Sequence, residues 1–415
     1  MMYNRWQLAR IEDALNTRRV LLLSGPRQCG KTTLVESYAK QHTIYRTLDD
    51  FSLLEAAKID PHGFVTHDNE LMIIDEIQRC PELLQAIKMD VDKNKSMGRF
   101  LLTGSANIQS LPSVKESLAG RVRHLRLRPL TQGEIEGYDS NFLSNVFDNK
   151  LDMQSCFNIK ENLTKADYLD MALSGGYPEP LTLNKHQHKK EWFNDYLESL
   201  MQKDLKDIIN IRRIDALRKL LQILAAWSSR LIDFSAIGSG LSISKLSLIS
   251  YVGSLEMLYL IERVPPWTKT VYDRVGKKEK LFMTDTGMLG HLLNWNREKI
   301  HLDAAASGLL IETFVFTQLA ALIDAQIQPY HLSHYRDKDK REIDFIIENN
   351  DGDIVGIEVK AGSSVSKDSF KHLFWFKNKF ANTKSFKGIV LYTGSHNLSF
   401  GDGFWALPIS SLWKL

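Results

Sequence analysis

The chain has 415 residues, with 53 Lys and Arg against 50 Asp and Glu and a formal net charge of +3. At roughly 100–200 residues per domain, this length predicts two to four domains. The balanced charge excludes a uniformly basic polyelectrolyte, so any nucleic-acid contact has to come from a local basic face. Three cysteines, Cys29, Cys80 and Cys156, show neither paired nor metal-ligand spacing, which suits a reducing cytoplasm. The opening Met1-Met-Tyr-Asn-Arg-Trp6 lacks the apolar core of a signal peptide. No apolar run approaches the ~20 residues of a membrane helix, and the expectation is a cytoplasmic protein with no membrane partner.

In chain order, the first strong element is Val20-Leu-Leu-Leu23, which reads as a buried parallel strand. It runs into Gly25-Pro26-Arg27-Gln28-Cys29-Gly30-Lys31-Thr32-Thr33, a G-x-x-x-x-G-K-T loop that opens a helix. The chemistry explains the pattern. The glycines allow backbone conformations closed to other residues, so main-chain N–H groups can surround an anion with no side chain in the way. The positive end of the helix adds to the attraction. Lys31 reaches toward the β and γ phosphates and the Thr32 hydroxyl toward Mg²⁺. The predicted ligands are therefore ATP and Mg²⁺, with Gly25 to Thr33 as the cradle. Cys29, set among N–H groups and near Lys31, is expected to favour a thiolate and to be sensitive to thiol reagents.

Leu71-Met-Ile-Ile74 predicts a second central strand that ends in Asp75-Glu76. Carboxylates at the carboxyl end of a parallel strand project into the crevice where ligands bind. Asp75 is assigned to the Mg²⁺ shell and Glu76 to polarising the attacking water. Arg99-Phe-Leu-Leu-Thr103 reads as a third strand, and Thr103 and Ser105 at its end are candidates for sensing the γ-phosphate. The stretch Ser117-Leu-Ala-Gly-Arg121 continues to Arg128, with Val122, Leu125 and Leu127 able to face a core. Its arginines read either as a solvated, snorkelling edge or, for Arg121 after its glycine, as a finger that neutralises transition-state charge.

At this point the chain resembles a known family. The loop at Gly25, Ile-Ile-Asp75-Glu76-Ile-Gln78, Leu-Leu-Thr103-Gly-Ser105 and Ser-Leu-Ala-Gly-Arg121 resemble those of prokaryotic AAA+-type P-loop ATPases that carry a C-terminal conserved domain of unknown function. The resemblance extends to Gly175-Gly-Tyr-Pro178-Glu and to the Asp344 and Glu358 segments, and so spans nearly the whole chain. It implies an ATPase core, a winged-helix-like region and a nuclease-like fold.

Residues 1 to about 135 alternate strand and helix patterns, as an α/β domain must. The stretch 137–165 is polar and Asn-rich and reads as an exposed connection. From Tyr168 to about Ile261 the pattern is helical, with Leu217, Leu220, Leu221 and Leu224 on one face. A break at Asp233, a second helix from Ser244 to Leu260 and an extended Leu281–Asp285 suggest a winged helix or, equally, a plain helical bundle.

Further on, Glu342-Ile-Asp344-Phe-Ile-Ile347 and Ile354-Val-Gly-Ile-Glu358-Val-Lys360 flank a turn-forming Asn349-Asn-Asp-Gly-Asp353. A hairpin centred on Asp351 puts Asp344 opposite Glu358, and the period of two puts Glu358 and Lys360 on one face. Facing carboxylates with a lysine suit Mg²⁺ binding and phosphodiester hydrolysis. The pattern resembles the D…ExK signature of the PD-(D/E)xK nuclease fold at Asp344, Glu358 and Lys360, with Glu312 as a fourth acid; Ile343 replaces the proline. The competing expectation is an inactive copy of that fold with surface ion pairs, such as Glu342 opposite Lys360.

The predicted order is an AAA+-type parallel-sheet α/β domain over 1–165, a helical, winged-helix-like region over 166–300, and an α/β PD-(D/E)xK-like domain over 301–415. The predicted function is a Mg²⁺-dependent ATP hydrolase coupled to DNA binding or processing through the nuclease-like domain; the alternative is a nucleotide-switched regulator or scaffold in which that domain is catalytically inactive. Arg121 would act in its own subunit or, in a homo-oligomer with shared ATP sites, in a neighbour.

Overall fold

The computed structural model describes residues 3–38, 43–68, 70–105, 120–139, 141–148, 163–204, 214–241, 243–380, 385–401 and 403–415. The chain divides into two compact units. One is Gln7–Pro129 with Glu256–Tyr259; the other holds residues 1–6, Leu130–Leu255 and Leu260–Leu415. In this division the main segment of the first unit ends at Pro129. Much of the polar stretch expected over 137–165, together with Cys156 and Ser117-Leu-Ala119, lies outside the described residues.

The first unit is built on five parallel strands: β1 (Val20–Ser24), β2 (Thr43–Thr47), β3 (Leu71–Asp75), β4 (Phe100–Gly104) and β5 (Val122–Arg126). Their order is β2-β3-β4-β1-β5. Because successive side chains point to opposite faces, Val20 and Leu22 enter one apolar cluster with Ile74 and Leu102. Leu21 and Leu23 enter another with Ile73, Leu101 and Leu125. Burial on both faces explains why these strands read as continuous apolar runs. The order also brings the carboxyl ends of β1, β3 and β4 side by side.

In the second unit, the helices Lys165–Ser174, His186–Ser199 and Ile214–Ala226 precede a small antiparallel sheet of β6 (Arg230–Leu231), β7 (Ile261–Val264) and β8 (Lys280–Met283), ordered β6-β8-β7. The helices Phe234–Gly238 and Lys245–Met257 lie in sequence between β6 and β7. The 22-residue helix Ala304–Ala325 leads into a six-stranded sheet of β9 (Tyr330–Arg336), β10 (Glu342–Asn349), β11 (Ile354–Lys360), β12 (Phe386–Tyr392), β13 (Leu398–Ser399) and β14 (Phe404–Pro408). The order is β13-β14-β12-β11-β10-β9. β9, β10 and β11 form an antiparallel meander, and β11, β12 and β14 run parallel.

Ala304–Ala325 is long and apolar enough to cross a membrane, which corrects the expectation that no such run exists. Most of it is buried inside this unit, where it packs as a core helix and presents Thr313 to the Ser228 hydroxyl at 2.9 Å. The Gly175-Gly176 pair has a packing role. A Cβ at Gly176 would lie 2.2 Å from the Leu130 carbonyl, and one at Gly175 would lie 2.7 Å from Asp285. Asp285 in turn accepts from Gly176 N and Met288 N, each at 2.7 Å.

Candidate functional site

The G-x-x-x-x-G-K-T loop leaves the carboxyl end of β1 and enters the helix Lys31–Glu36. Gly30 has φ 98°, a conformation L side chains rarely adopt, and a Cβ on Gly25 would sit 2.1 Å from the Leu127 carbonyl. Both glycines are therefore required by the backbone itself. Lys31 is buried and its Nζ donates to the carbonyls of Gly25 and Pro26 at 3.0 and 2.8 Å, so the ammonium is held within the curve of the loop.

The acidic end of β3 lies beside it. The Thr32 hydroxyl donates to Asp75 Oδ2 at 3.0 Å, and the Tyr45 phenol donates to the same oxygen at 3.2 Å. Burial, with the Asp75 charge next to it, raises the Tyr45 pKa, so Tyr45 remains a donor. Thr103 bridges the two acids: its hydroxyl donates to Asp75 Oδ1 and accepts the Glu76 N–H at 3.0 Å. Glu76 has φ 58°, a strained position for a residue with a Cβ, and its carboxylate accepts from Gln78. Gln78 also donates to Ser105 at 3.0 Å. Thr32, Asp75, Glu76, Thr103 and Ser105, predicted from separate segments, thus form one network.

These residues fit a divalent ion with ATP. Thr32 supplies a hydroxyl and Asp75 a buried carboxylate at 3.0 Å from it, the hard-oxygen donors Mg²⁺ prefers. Gln78, Tyr45 and Tyr259 join the site through tertiary contacts alone. The Tyr259 side chain is hydrogen-bonded to Ser24, immediately before the loop, and its ring lies 4.8 Å from the Arg126 guanidinium. No sequence signal marks it, because it comes from more than two hundred residues downstream.

Two expectations are corrected. Arg121 precedes β5, and its carbonyl accepts from Val20 N at 3.4 Å, at the start of β1. The loop leaves the opposite end of β1, roughly 13 Å away at about 3.3 Å per residue. The Arg121 guanidinium pairs with Asp92 at 2.6 and 3.0 Å, so it is not at the ATP site of its own subunit. Arg126, the last residue of β5, is the strand's arginine at the loop end, and Arg128 lies two residues beyond it. Cys29 is fully buried in an apolar cluster with its Sγ 3.6 Å from the Leu127 carbonyl. It faces the core, so the expected reagent sensitivity has no structural basis.

The second constellation lies in the C-terminal unit. The β10–β11 register runs from Phe345↔Ile357 to Glu348↔Ile354, symmetric about Asp351 as the turn predicted. Asp344 Oδ2 accepts the Val359 N–H at 2.9 Å, and Lys360 Nζ contacts Glu358 at 3.2 Å. Glu342 does not pair with Lys360 but with Arg336 at 3.1 Å and with Lys280 at 3.0 Å. Lys280, the first residue of β8, is the unexpected member: its buried Nζ lies 2.6 Å from Glu312 and 3.2 Å from Asp344.

Burial alone would lower the Lys280 pKa, but the charges of Glu312, Asp344 and Glu342 outweigh it and hold the ammonium well above its ordinary value. Burial pushes the Glu312 and Glu358 carboxyls up to about 8. Oxygens of Glu312 and Asp344 that a metal would need are therefore engaged by an ammonium, and the remaining Asp344 oxygen by a backbone N–H. Among the described residues no group of three His, Cys, Asp or Glu side chains is placed to hold a metal ion. The expected divalent site at Glu312, Asp344 and Glu358 does not fit this geometry.

Against known families, residues 17–136 match the family described as "AAA domain". This segment is similar to AAA-type P-loop domains. Its five parallel strands and its G-x-x-x-x-G-K-T loop agree with that assignment. Beyond the AAA domain, residues 165–299 and 307–412 match two families each described as a domain of unknown function, DUF8612 and DUF4143. Among curated relatives, "Uncharacterized protein Rv2008c" of Mycobacterium tuberculosis is 26% identical over 408 residues, covering 97% of this chain and 83% of that protein. "Uncharacterized protein MJ1544" of Methanocaldococcus jannaschii is 22% identical and covers 86% of this chain and 81% of its own length. Among solved structures, the Thermotoga maritima RuvB Holliday junction branch migration motor is 18% identical, covering 64% of this chain and 92% of that one. Its TM-score of 0.27 is too low to carry a fold argument.

Proposed function

We propose that the chain is a Mg²⁺-dependent ATP hydrolase whose nucleotide cycle controls a DNA-contacting C-terminal region, with the PD-(D/E)xK-like sheet acting as a scaffold. The observation that carries the reading is the network in which Thr103 joins Asp75 to Glu76 beside Thr32. In this mechanism the loop N–H groups and Lys31 would hold the β and γ phosphates, and Thr32 and Asp75 would hold Mg²⁺. When bound, the ion offsets charge on the phosphates. Glu76, with its backbone fixed by Thr103, orients the attacking water and accepts its proton.

The DNA part of the proposal draws support from two arrangements. Helices and strands from Ile214 to Met283 follow the order helix, strand, helix, helix, strand, strand with the last strand central in the sheet, as in a winged helix. Between β7 and β8 a loop exposes Lys269, Lys277 and Tyr272, a local basic face of the kind a chain of balanced charge needs. The scaffold reading follows from Lys280 among the carboxylates. The buried free thiols Cys29 and Cys80 suit the cytoplasm. A homo-oligomer with shared ATP sites belongs to the same proposal, and light scattering with and without ATP tests it.

The central test is steady-state turnover and ATP affinity of the parent, Lys31→Ala and Glu76→Gln, each with and without DNA. Lys31→Ala should lose ATP binding, whereas Glu76→Gln should bind normally and turn over at least 100-fold more slowly. Glu76→Gln should also show a DNA affinity that depends on ATP. Equal ATP affinity in Lys31→Ala and the parent would remove the site assignment, and indifference of both turnover and DNA affinity would remove the coupling.

A further inference from the structure

The carboxylate centre of the C-terminal unit is unusual in what completes it. Glu312 comes from the long helix, Glu342 and Asp344 from β10, and Glu358 from β11. Four acids gathered this way repel one another unless cations or protons lie between them. Lys280 Nζ stands among three of them, at 2.6 Å from Glu312, 3.0 Å from Glu342 and 3.2 Å from Asp344. Its side chain is 1% exposed, so water does not share the task. Lys360 and Arg336 approach from the outside, each with one acid, at 3.2 Å from Glu358 and 3.1 Å from Glu342.

From this geometry we infer that Lys280 is the resident cation of the centre: its ammonium takes the place a divalent ion would occupy and fastens β8 to the six-stranded sheet. An unpaired buried ammonium would be prohibitively costly, and so would the unpaired acids. Each therefore requires the other: Lys280 matches Glu312, Glu342 and Asp344, whereas Glu358, among the described residues, meets only Lys360, through one oxygen, and its other oxygen is buried without a hydrogen-bond partner.

The connection matters because of what β8 carries. The loop Pro265–Glu279 ends at Lys280, and its stems are tied to β9 as well. The Trp267 N–H donates to the His334 carbonyl at 2.6 Å, and the His334 N–H donates to the Pro265 carbonyl at 3.0 Å. The His334 ring is 3.1 Å from the Lys278 carbonyl. Lys280 is the buried, charged end of this fastening. The residues that resemble a nuclease centre thus act as the receptor for an internal lysine, and they hold the base of the exposed Lys269–Lys278 loop rigidly on the sheet. This inference is independent of ATP hydrolysis and survives if the proposed function fails.

The test uses the full chain without nucleotide, in an Asp75→Asn background so that the Thr32–Asp75 pair does not contribute a metal site. Mn²⁺ binding is followed by electron paramagnetic resonance and by thermal unfolding. The Lys280-containing protein should bind no Mn²⁺ at this centre and show no Mn²⁺-dependent rise in melting temperature. Lys280→Ala opens space between the acids and should lower the melting temperature of its transition by roughly 5–10 °C. Mn²⁺ should recover part of that loss, and adding Asp344→Asn should abolish the recovery. Mn²⁺ binding by the Lys280-containing protein that disappears in Asp344→Asn would overturn the inference, as would a Lys280→Ala protein that is as stable as its parent. If Lys280→Ala does not fold, the Mn²⁺ titration of the Lys280-containing protein against Asp344→Asn still decides the matter.

Discussion

Replacing Thr103 by Val tests the ATP site at the point where its two acids meet. The substitution keeps the volume and branching of the side chain but removes the hydroxyl that donates to Asp75 and accepts the Glu76 N–H. A hydrogen bond to a charged group contributes about 1.5–3 kcal/mol, and a buried N–H left unpaired costs about 1–3 kcal/mol. The two terms share one hydroxyl and do not simply add, so the expected loss is about 3 kcal/mol. For a unit of this size that corresponds to a fall of roughly 10 °C in its melting transition. Catalysis should suffer separately, because Glu76 holds a left-handed backbone conformation that Thr103 helps to fix. Turnover should fall at least ~10-fold, equivalent to about 1.4 kcal/mol of transition-state stabilisation, while ATP affinity changes little because the loop contacts of Lys31 are untouched. Thr103→Ser keeps the hydroxyl and serves as the control. The assays are differential scanning calorimetry and single-turnover hydrolysis. If Thr103→Val matched Thr103→Ser in both stability and turnover, the bridge would carry neither the stability nor the alignment assigned to it.

Two further outcomes follow from the C-terminal unit. Gly176→Ala should destabilise this unit and leave ATP affinity intact, since its Cβ would meet the Leu130 carbonyl at 2.2 Å, where only backbone movement gives relief; limited proteolysis and nucleotide binding read the two effects apart. Burial raises the Asp285 pKa to about 6 from an ordinary 3.8, against the opposing hydrogen bonds from Met288 and Gly176. Its contribution to stability is therefore fully present below about 3.8 and is lost as pH rises through about 6. The melting temperature of the parent minus that of Asp285→Asn should fall across this window and stay level above pH 7, and a flat difference from pH 4 to 7 would contradict the assignment.

The nucleotide site was legible in the sequence because its chemistry is local. The loop, its lysine and threonine lie within nine residues, and the strand-ending Asp75-Glu76 and Thr103 follow from the rule that parallel strands present ligands at their carboxyl ends. The β10–β11 register was equally readable, since the turn and the period of two set which residues face each other. What failed was what needed distance. Arg121 adjoins a suitable glycine, yet the parallel pairing of β5 with β1 puts it at the sheet end opposite the loop. Cys29 belongs to the loop in sequence but to the core in space. Lys280 opens the otherwise apolar strand β8 with no marked neighbour, and its partners are 32, 62 and 64 residues away. Local spacing determines which groups can act together when the backbone between them has one regular form. Whether four acids receive a metal or a lysine depends on which strand the tertiary fold brings against them, and burial makes that choice decisive because a charge removed from water must be matched by another.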